Sequence, residues 1–300
     1  VHDMVRRVID EHIHYLNARL GATRFGTPAL PIIPLGVDCA AYAADPAAGT
    51  ALRSKLGIAD GDVAVLVMAR LSLTTKFSPL PLYLALQRAA GRVTPRLHLL
   101  LAGWFDDALS RRAYVDAASQ ACPDVALHVL DGQDAATRRG AWSGADIFTL
   151  PVDNVQETYG LAPVEAMAAG LPVVVSDWDG FRDTVEDGVC GFRIPTAMTG
   201  QGARLAMRYQ AGADSYGAYL LGISQSTAMD VEAAAEAFAR LADDHALRRS
   251  MGEAGRRRAR GLYDWSAIIP QYLALWDGLA RRRAEGQERA VPQPGRTGTL

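Results

Sequence analysis

The sequence predicts an open, parallel α/β sheet wrapped by helices, and three observations carry that prediction. From residue 62 onward, short apolar runs alternate with amphipathic stretches at regular intervals. The runs at 63–68, 97–102, 125–130, 146–150 and 173–177 are Val- and Leu-rich and of strand length, as expected for strands buried in a parallel sheet. The stretch 145–177 also reads as a complete unit of strand, polar loop, helix and strand. Pro163 suits a first helical turn, where its missing N–H costs nothing, and Gly170 with Pro172 supplies the stop.

The elements follow in order. Residues 2–20 show a helical pattern, with Met4, Val8, Ile9, Ile13 and Leu16 near helical spacing. No strand precedes it, so residues 1–34 are expected to be the last helix of a domain that lies before this sequence, followed by a Gly/Pro/Thr connector at 21–31. The main domain is expected over 35–263. Its helical patterns fall at about 80–90, 106–121, 135–143 and 161–169, with a weaker sixth strand at 191–195. Residues 196–229 break this rhythm and contain Tyr209, Tyr216 and Tyr219; a loop of that length is expected to be functional or mobile. Paired helices are expected at 231–243 and 246–263. A last helix at 265–283 puts Ile268, Tyr272, Leu275, Trp276 and Leu279 on one face. Residues 285–300 are polar and rich in Pro and Gly, the composition of a disordered tail.

Composition narrows the function. The chain is 49% hydrophobic and 21% charged with a formal net charge of -2, so no basic surplus points to nucleic acid. Its longest apolar runs, such as 63–69, are far short of a membrane span. Cys39, Cys122 and Cys190 are odd in number, widely separated and without metal-ligand spacing, which fits a reducing cytoplasm.

The most informative segment is Gln156–Glu157–Thr158–Tyr159–Gly160–Leu161–Ala162–Pro163–Val164–Glu165, continuing through Pro172. It sets two glutamates eight positions apart, one before a glycine and one inside a helix. Free N–H groups and the positive end of the helix dipole then face the carboxyl edge of a sheet, a ready phosphate site. Side chains on a helix lean toward its N-terminus, so Glu165 reaches whatever binds there.

This string, between its two strands, resembles the E-x(7)-E segment of the retaining glycosyltransferases of family 4, whose fold is called GT-B. Pro34–Leu35–Gly36–Val37–Asp38 is similar to the segment with which that family enters its second domain, with Leu35 in place of the usual Asn. The resemblance runs from about Pro34 to Trp276. It implies a Rossmann-like, doubly wound sheet, the C-terminal domain of a GT-B enzyme, with the final helix crossing back onto the first domain. It also implies transfer of a sugar from a nucleotide-diphosphate donor to an acceptor hydroxyl, with retention at the anomeric carbon and no metal or organic cofactor.

Residue by residue, the resemblance assigns Arg70 and Lys76 to the donor diphosphate, together with the N–H groups of Gly160, Leu161 and Ala162. Here that loop is one residue longer than the common form and has Ala69 where Gly is usual. An Arg fork and a Lys point charge suit a leaving pyrophosphate, where negative charge accumulates. Glu165 would grip the ribose and Glu157 the donor sugar. The turn at Gly103 would lie beside the nucleotide, with the base against the backbone near Val129 and Leu130. Trp104 reads as a packing residue and His128 as a half-buried strand residue.

Asp177–Trp178–Asp179 has the form of a metal-binding DxD of the other large glycosyltransferase fold. Its acids flank a strand-to-turn transition, where Asp is common, and no metal role is expected of them. His12 and His14 point to different helix faces. Arg256–Arg257–Arg258, Arg260 and Arg281–Arg282–Arg283 read as solvated helix faces, with contact to anionic lipid head groups as the alternative; the acceptor is a glycan, a lipid-linked molecule or a small molecule. GT-B enzymes place the acceptor site on an N-terminal domain, so this chain is expected to be the donor-binding half, incomplete as a catalyst. Two other classes stay open: a non-catalytic nucleotide-sugar module, and another GT-B-like enzyme such as a nucleotide-sugar epimerase.

Overall fold

A computed structural model describes residues 2–21 and 28–286, and the side chains from residue 5 onward. The first helix is α1, His2–Leu20. A 3₁₀ turn at Cys39–Tyr42 and α2, Pro46–Leu56, lead into the sheet. Next come β1 (Val63–Leu71), α3 (Leu80–Ala90), β2 (Leu97–Phe105), α4 (Ala108–Ala121), β3 (Ala126–Asp131), α5 (Ala135–Gly144) and β4 (Ile147–Leu150). They are followed by α6 (Leu161–Ala169), β5 (Val173–Ser176), α7 (Phe181–Thr184) and β6 (Gly191–Ile194). The sheet order is β3-β2-β1-β4-β5-β6 with every pair parallel, the doubly wound Rossmann order.

The strand direction explains the layers. Steps from β1 to β2 to β3 move one way along the sheet, and the step from β4 to β5 moves the other way. Right-handed crossovers therefore place α3 and α4 on one face and α6 on the opposite face. Contacts agree: α3 packs with α4, and α5 with α2 and α6. Both faces of the central strands are covered, so residues 63–67 of β1 are all buried, and β4 and β5 are buried throughout. The crevice where the order reverses lies between the carboxyl ends of β1 and β4, the place where open α/β sheets bind ligands.

Two boundaries differ from the sequence reading. β1 and β2 each run three residues further, because they stay paired to Leu71 and Phe105. Arg70 is therefore a strand residue, opposite Trp104, instead of the first loop residue. The larger difference is residues 196–229, which form a folded unit where a long loop is expected. Strands β7 (Thr196–Met198) and β8 (Thr227–Met229) pair antiparallel and enclose α8 (Gly202–Gln210) and α9 (Tyr216–Gln225). Tyr209, Tyr216 and Tyr219 cluster there, with Tyr209 and Tyr219 stacked at 5.4 Å.

Helices α10 (Val231–Asp243) and α11 (His245–Arg258) run into a π-helical turn at Ala259–Tyr263 and then α12, Trp265–Ala284. α11 lies against α6 closely enough that a Cβ at Gly252 would sit 2.1 Å from the carbonyl oxygen of Gly170. Arg256 and Arg258 are not solvated, contrary to their sequence reading. Arg256 donates to the Ala169 carbonyl at 2.8 Å and Arg258 to that of Thr184 at 2.9 Å, so each cation closes the C-terminal end of a helix. The chain enters and leaves the domain side by side: Val37 N–H donates to Tyr263, and Trp265 N–H donates to Val37. Of α12, only Ile268 is fully buried, while Ile269, Leu273 and Trp276 are at least half exposed. Residues 22–27 of the connector expected at 21–31, and residues 287–300 of the tail expected at 285–300, lie outside the described residues.

Candidate functional site

Two adjacent strands deliver the chemistry. The loop after β1 is pulled tight by Ser72, whose hydroxyl accepts from Thr75 N–H at 3.2 Å and from the Thr75 hydroxyl at 2.8 Å. Leu73 N–H donates to Ser110 on α4 at 3.1 Å. This compact turn presents Lys76. The loop after β4 carries Asn154, Gln156 and Glu157 into the N-terminus of α6. Asn154 donates to the Lys76 carbonyl at 2.9 Å, tying the two loops together.

Lys76 Nζ donates to Glu157 Oε2, and Gly160 N–H donates to Glu157 Oε1 at 3.1 Å. One carboxylate thus joins the cation to the helix N-terminus. Arg70 stands beside them with Asp106 as a distant partner at 3.7 Å, both about a third exposed. Arg70, Thr75, Lys76, Asn154, Gln156 and Glu157, with Val152, line a cavity of about 210 Å³. Gly160 is obligatory: its φ is +91°, and a Cβ would come within 2.6 Å of the Phe181 ring. The next N–H groups, of Leu161 and Ala162, open α6 and have no intrahelical acceptor. Two cations at one small cavity, with a helix N-terminus tied to it through Glu157, suit a diphosphate.

A second cavity, of about 470 Å³, is lined by Ala41, Tyr42, Met68, Ala135, Arg138, Arg139, Trp142 and Glu165. Trp142 stacks on Phe148 at 5.7 Å and meets Tyr42 edge-on at 5.7 Å, giving the cavity a firm aromatic wall. Burial raises the pKa of Glu165, and a hydrogen bond from Tyr42 counters part of that rise. Burial likewise pushes the Tyr42 phenol up, and the neighbouring Glu165 charge adds to the effect. Residues 70, 76 and 157 therefore line one cavity, Gly160 joins them through Glu157, Glu165 opens into the second cavity, and Leu161 and Ala162 line neither.

Gly103, Val129 and Leu130 line neither cavity. Gly103 is needed for backbone packing, since a Cβ would lie 1.9 Å from the Ala69 carbonyl oxygen. Val129 and Leu130 sit on the edge strand β3, with Val129 exposed. Sequence reasoning missed Tyr42, Arg138, Arg139 and Trp142. A usable signal was the i,i+4 pair of Arg138 and Trp142, which puts a cation and an aromatic ring on one face of α5. Of the Asp177–Trp178–Asp179 acids, Asp177 is engaged by Arg182 at 3.1 Å and Arg193 at 3.6 Å. A third depression, of about 460 Å³, is lined by Arg92, Glu236, Arg240, Asp243, Asp244 and their neighbours. It lies where α3 ends and β2 begins, at the other edge of the sheet.

The sheet and its helices define a Rossmann-like α/β unit of the GT-B type. Residues 81–206 match the family model described as glycosyl transferases group 1. The chain is similar to the phosphatidyl-myo-inositol mannosyltransferase of Mycobacterium leprae, 30% identical over 155 residues, covering 51% of this chain and 32% of the relative. It is 27% identical over 271 residues to the D-inositol 3-phosphate glycosyltransferase of Geodermatophilus obscurus, covering 87% and 50%. The chain thus spans about a third to half the length of these curated relatives. In fold it is similar to HepE of Anabaena in complex with UDP, with a TM-score of 0.60, 19% identity, and coverage of 87% of this chain and 60% of that one. Sucrose-phosphate synthase of Thermosynechococcus elongatus has a TM-score of 0.58 at 22% identity, covering 90% and 57%.

Proposed function

We propose that this chain is the donor-binding half of a glycosyltransferase that moves a sugar from a nucleotide-diphosphate sugar to an acceptor hydroxyl, with retention at the anomeric carbon. The observation that carries this reading is the convergence of Arg70, Lys76 and Glu157 on one small cavity, with Glu157 tied to the α6 N-terminus through Gly160 N–H. Arg70, Lys76 and the N–H groups of Leu161 and Ala162 hold the diphosphate and stabilise the charge it acquires on departure. Glu157 exchanges its bond to Lys76 for hydroxyls of the donor sugar. Glu165 and Tyr42 take the ribose. In the chemical step the anomeric carbon–oxygen bond to phosphate breaks, the acceptor oxygen bonds to that carbon, and the leaving phosphate oxygen receives the acceptor proton.

The relatives' names supply the first acceptors to test, inositol phosphates and inositol lipids. No helix among the described residues is long and apolar enough to cross a membrane. A lipid-linked acceptor would be met at the membrane surface, and co-sedimentation of the protein with anionic vesicles tests that contact.

Thermal shift with UDP, GDP and ADP tests the binding half of this reading, because a ligand that prefers the folded state raises its stability. One nucleoside diphosphate is expected to raise the midpoint well above the others. Its sugar conjugate should then yield a product whose anomeric configuration, read by NMR coupling constants, matches the donor. No shift with any of the three sinks the reading; an inverted product removes retention.

A further inference from the structure

We infer that Asn154 is a positioning residue that sets Lys76 against Glu157, with the Trp178 indole holding it in place. The inference rests on the reading of that pair as part of a glycosyl-transfer site.

Asn154 is 1% exposed and stands in the loop after β4, ahead of Glu157. Its side chain makes one bond to each of the two loops that form the site. Nδ2 donates to the Lys76 carbonyl at 2.9 Å, and Oδ1 accepts from Gln156 N–H at 3.0 Å. A carbonyl on one side and an N–H on the other fix which end of the amide faces which loop. The bond to Gln156 is the local turn that an asparagine makes with the amide two residues on. The bond to Lys76 spans 78 positions of chain and has no such local reason.

Both bonds act on the backbone that carries the ion pair. Lys76 N–H is taken up inside its own turn, by the Ser72 carbonyl at 3.1 Å, so its carbonyl is the peptide group that meets the neighbouring loop. Gln156 immediately precedes Glu157, so the same asparagine sets the direction in which the chain enters Glu157. Beyond Lys76, Phe77 is fully buried and Ser78 N–H donates to Asp153 Oδ2 at 2.8 Å. The turn therefore stays attached when the Asn154 amide is removed, and the Lys76 peptide is what is released.

A third loop secures the asparagine. The Trp178 indole N–H donates to the Asn154 carbonyl at 2.7 Å. A Cβ at Gly180 would lie 2.4 Å from the Thr158 carbonyl oxygen, so the turn after β5 presses directly on the loop that carries Glu157. β1, β4 and β5 are neighbours in the sheet, and the loops from their carboxyl ends meet at Asn154. The string Asp177–Trp178–Asp179 thereby gains a part in the site through its tryptophan.

The lysines of the chain supply a test that needs no turnover. Lys55 and Lys76 are the only two in the sequence, and Lys55 is exposed. The Lys76 side chain is 22% exposed and paired with Glu157. The full-length protein is acetylated with an amine-reactive ester and the two sites are followed by peptide mass spectrometry. Asn154→Ala should speed labelling of Lys76 relative to Lys55 by about fivefold, the factor for one ordinary hydrogen bond. Trp178→Phe should speed it by a smaller factor, and it carries the same test if Asn154→Ala does not fold.

Titration with UDP, GDP and ADP separates positioning from general destabilisation. Asn154→Ala should weaken the nucleotide that binds best by about tenfold. In a Lys76→Ala background the same substitution should weaken it by less than about twofold, because the tie then has no cation to place. Equal losses in both backgrounds, or unchanged Lys76 labelling in Asn154→Ala, overturn the positioning role. Wild-type labelling in Trp178→Phe removes the indole from it. Faster Lys76 labelling in a protein that binds none of the three nucleotides keeps the role and sinks only the functional reading.

Discussion

Lys76 and Glu157 are joined by an ion pair across 81 positions of chain, and the same carboxylate also takes the N–H of Gly160. The cation best placed for a diphosphate is thus paired with a carboxylate of the same chain. A bound diphosphate would compete with Glu157 for Lys76 and for the helix N-terminus, and the displaced carboxylate would be freed beside the donor sugar.

That competition separates the two residues experimentally. Lys76→Ala should weaken nucleoside-diphosphate binding by about 1.5–3 kcal/mol, the range for hydrogen bonds to charged groups. Glu157→Ala removes the competitor for Lys76, so it should hold or tighten affinity, and it should lower turnover by roughly 10²-fold, as for loss of one preorganised electrostatic group. Isothermal titration with the nucleotide, beside initial rates of the full-length protein, decides it. Equal losses of affinity in both variants would reassign Glu157 to simple ligand binding.

Glu165 should weaken nucleotide binding by about 1–3 kcal/mol when replaced by Ala, and it also carries a pH signature. Burial raises its folded-state pKa above the ordinary carboxylate value. Its contribution to stability is therefore fully present below about pH 4 and is lost as pH rises through the folded value. The thermal midpoint of Glu165→Gln should gain on that of wild type as pH climbs from about 4 to 7. Tyr42→Phe removes the hydrogen bond that favours the carboxylate, so its loss of stability should come at higher pH than in wild type. Midpoints that run parallel across this range would mean that Glu165 is not strained by burial.

Much of this site was legible in the sequence because its residues follow one another along the chain. Glu157, Gly160 and Glu165 sit in a single strand–loop–helix unit, and Arg70 and Lys76 belong to the end of the neighbouring central strand and the turn after it. Tyr42, Arg138 and Trp142 were not legible as a group, since two separate elements, the 3₁₀ turn at Cys39–Tyr42 and α5, bring them to Glu165. The folded segment 196–229 was read as a loop because its strands are three residues each and α8 buries nothing. Short elements held by tertiary contacts leave little periodicity. Arg256 and Arg258 misled for a related reason: a triple arginine in sequence looks solvated, and only the packing of α11 on α6 brings Arg256 to a helix end.

Away from the site, His98 and His128 should make stability sensitive to acid. His98 Nε2 lies 3.1 Å from Asp62 Oδ2, and its Nδ1 lies 3.0 Å from His128 Nε2. With the His98 proton on Nε2 for Asp62, its Nδ1 accepts from His128. One neutral imidazole then bridges the two partners. Burial lowers the pKa of both rings. The stability this arrangement contributes is present above about pH 6.5 and is lost as pH falls through the lowered folded values. Thermal midpoints should drop between about pH 6.5 and 5, and His128→Gln should flatten that drop. An identical pH profile in the variant would place the acid sensitivity elsewhere.

Gly160 should be the least replaceable residue of the site. Its φ of +91° disfavours any side chain, and a Cβ would strike the Phe181 ring. Gly160→Ala should cost about 1–3 kcal/mol in backbone strain alone. The functional loss should exceed the loss of fold, because the same amide fixes Glu157 Oε1 and begins α6. Relief of strain by rotating φ would turn that N–H away from Glu157 and leave Lys76 as its only remaining hold. Nucleotide affinity should therefore fall even at temperatures where the variant is fully folded. Chemical denaturation beside nucleotide titration measures the two losses separately. A variant that is destabilised but binds nucleotide as tightly as wild type would show that the helix N-terminus takes no part in holding the diphosphate.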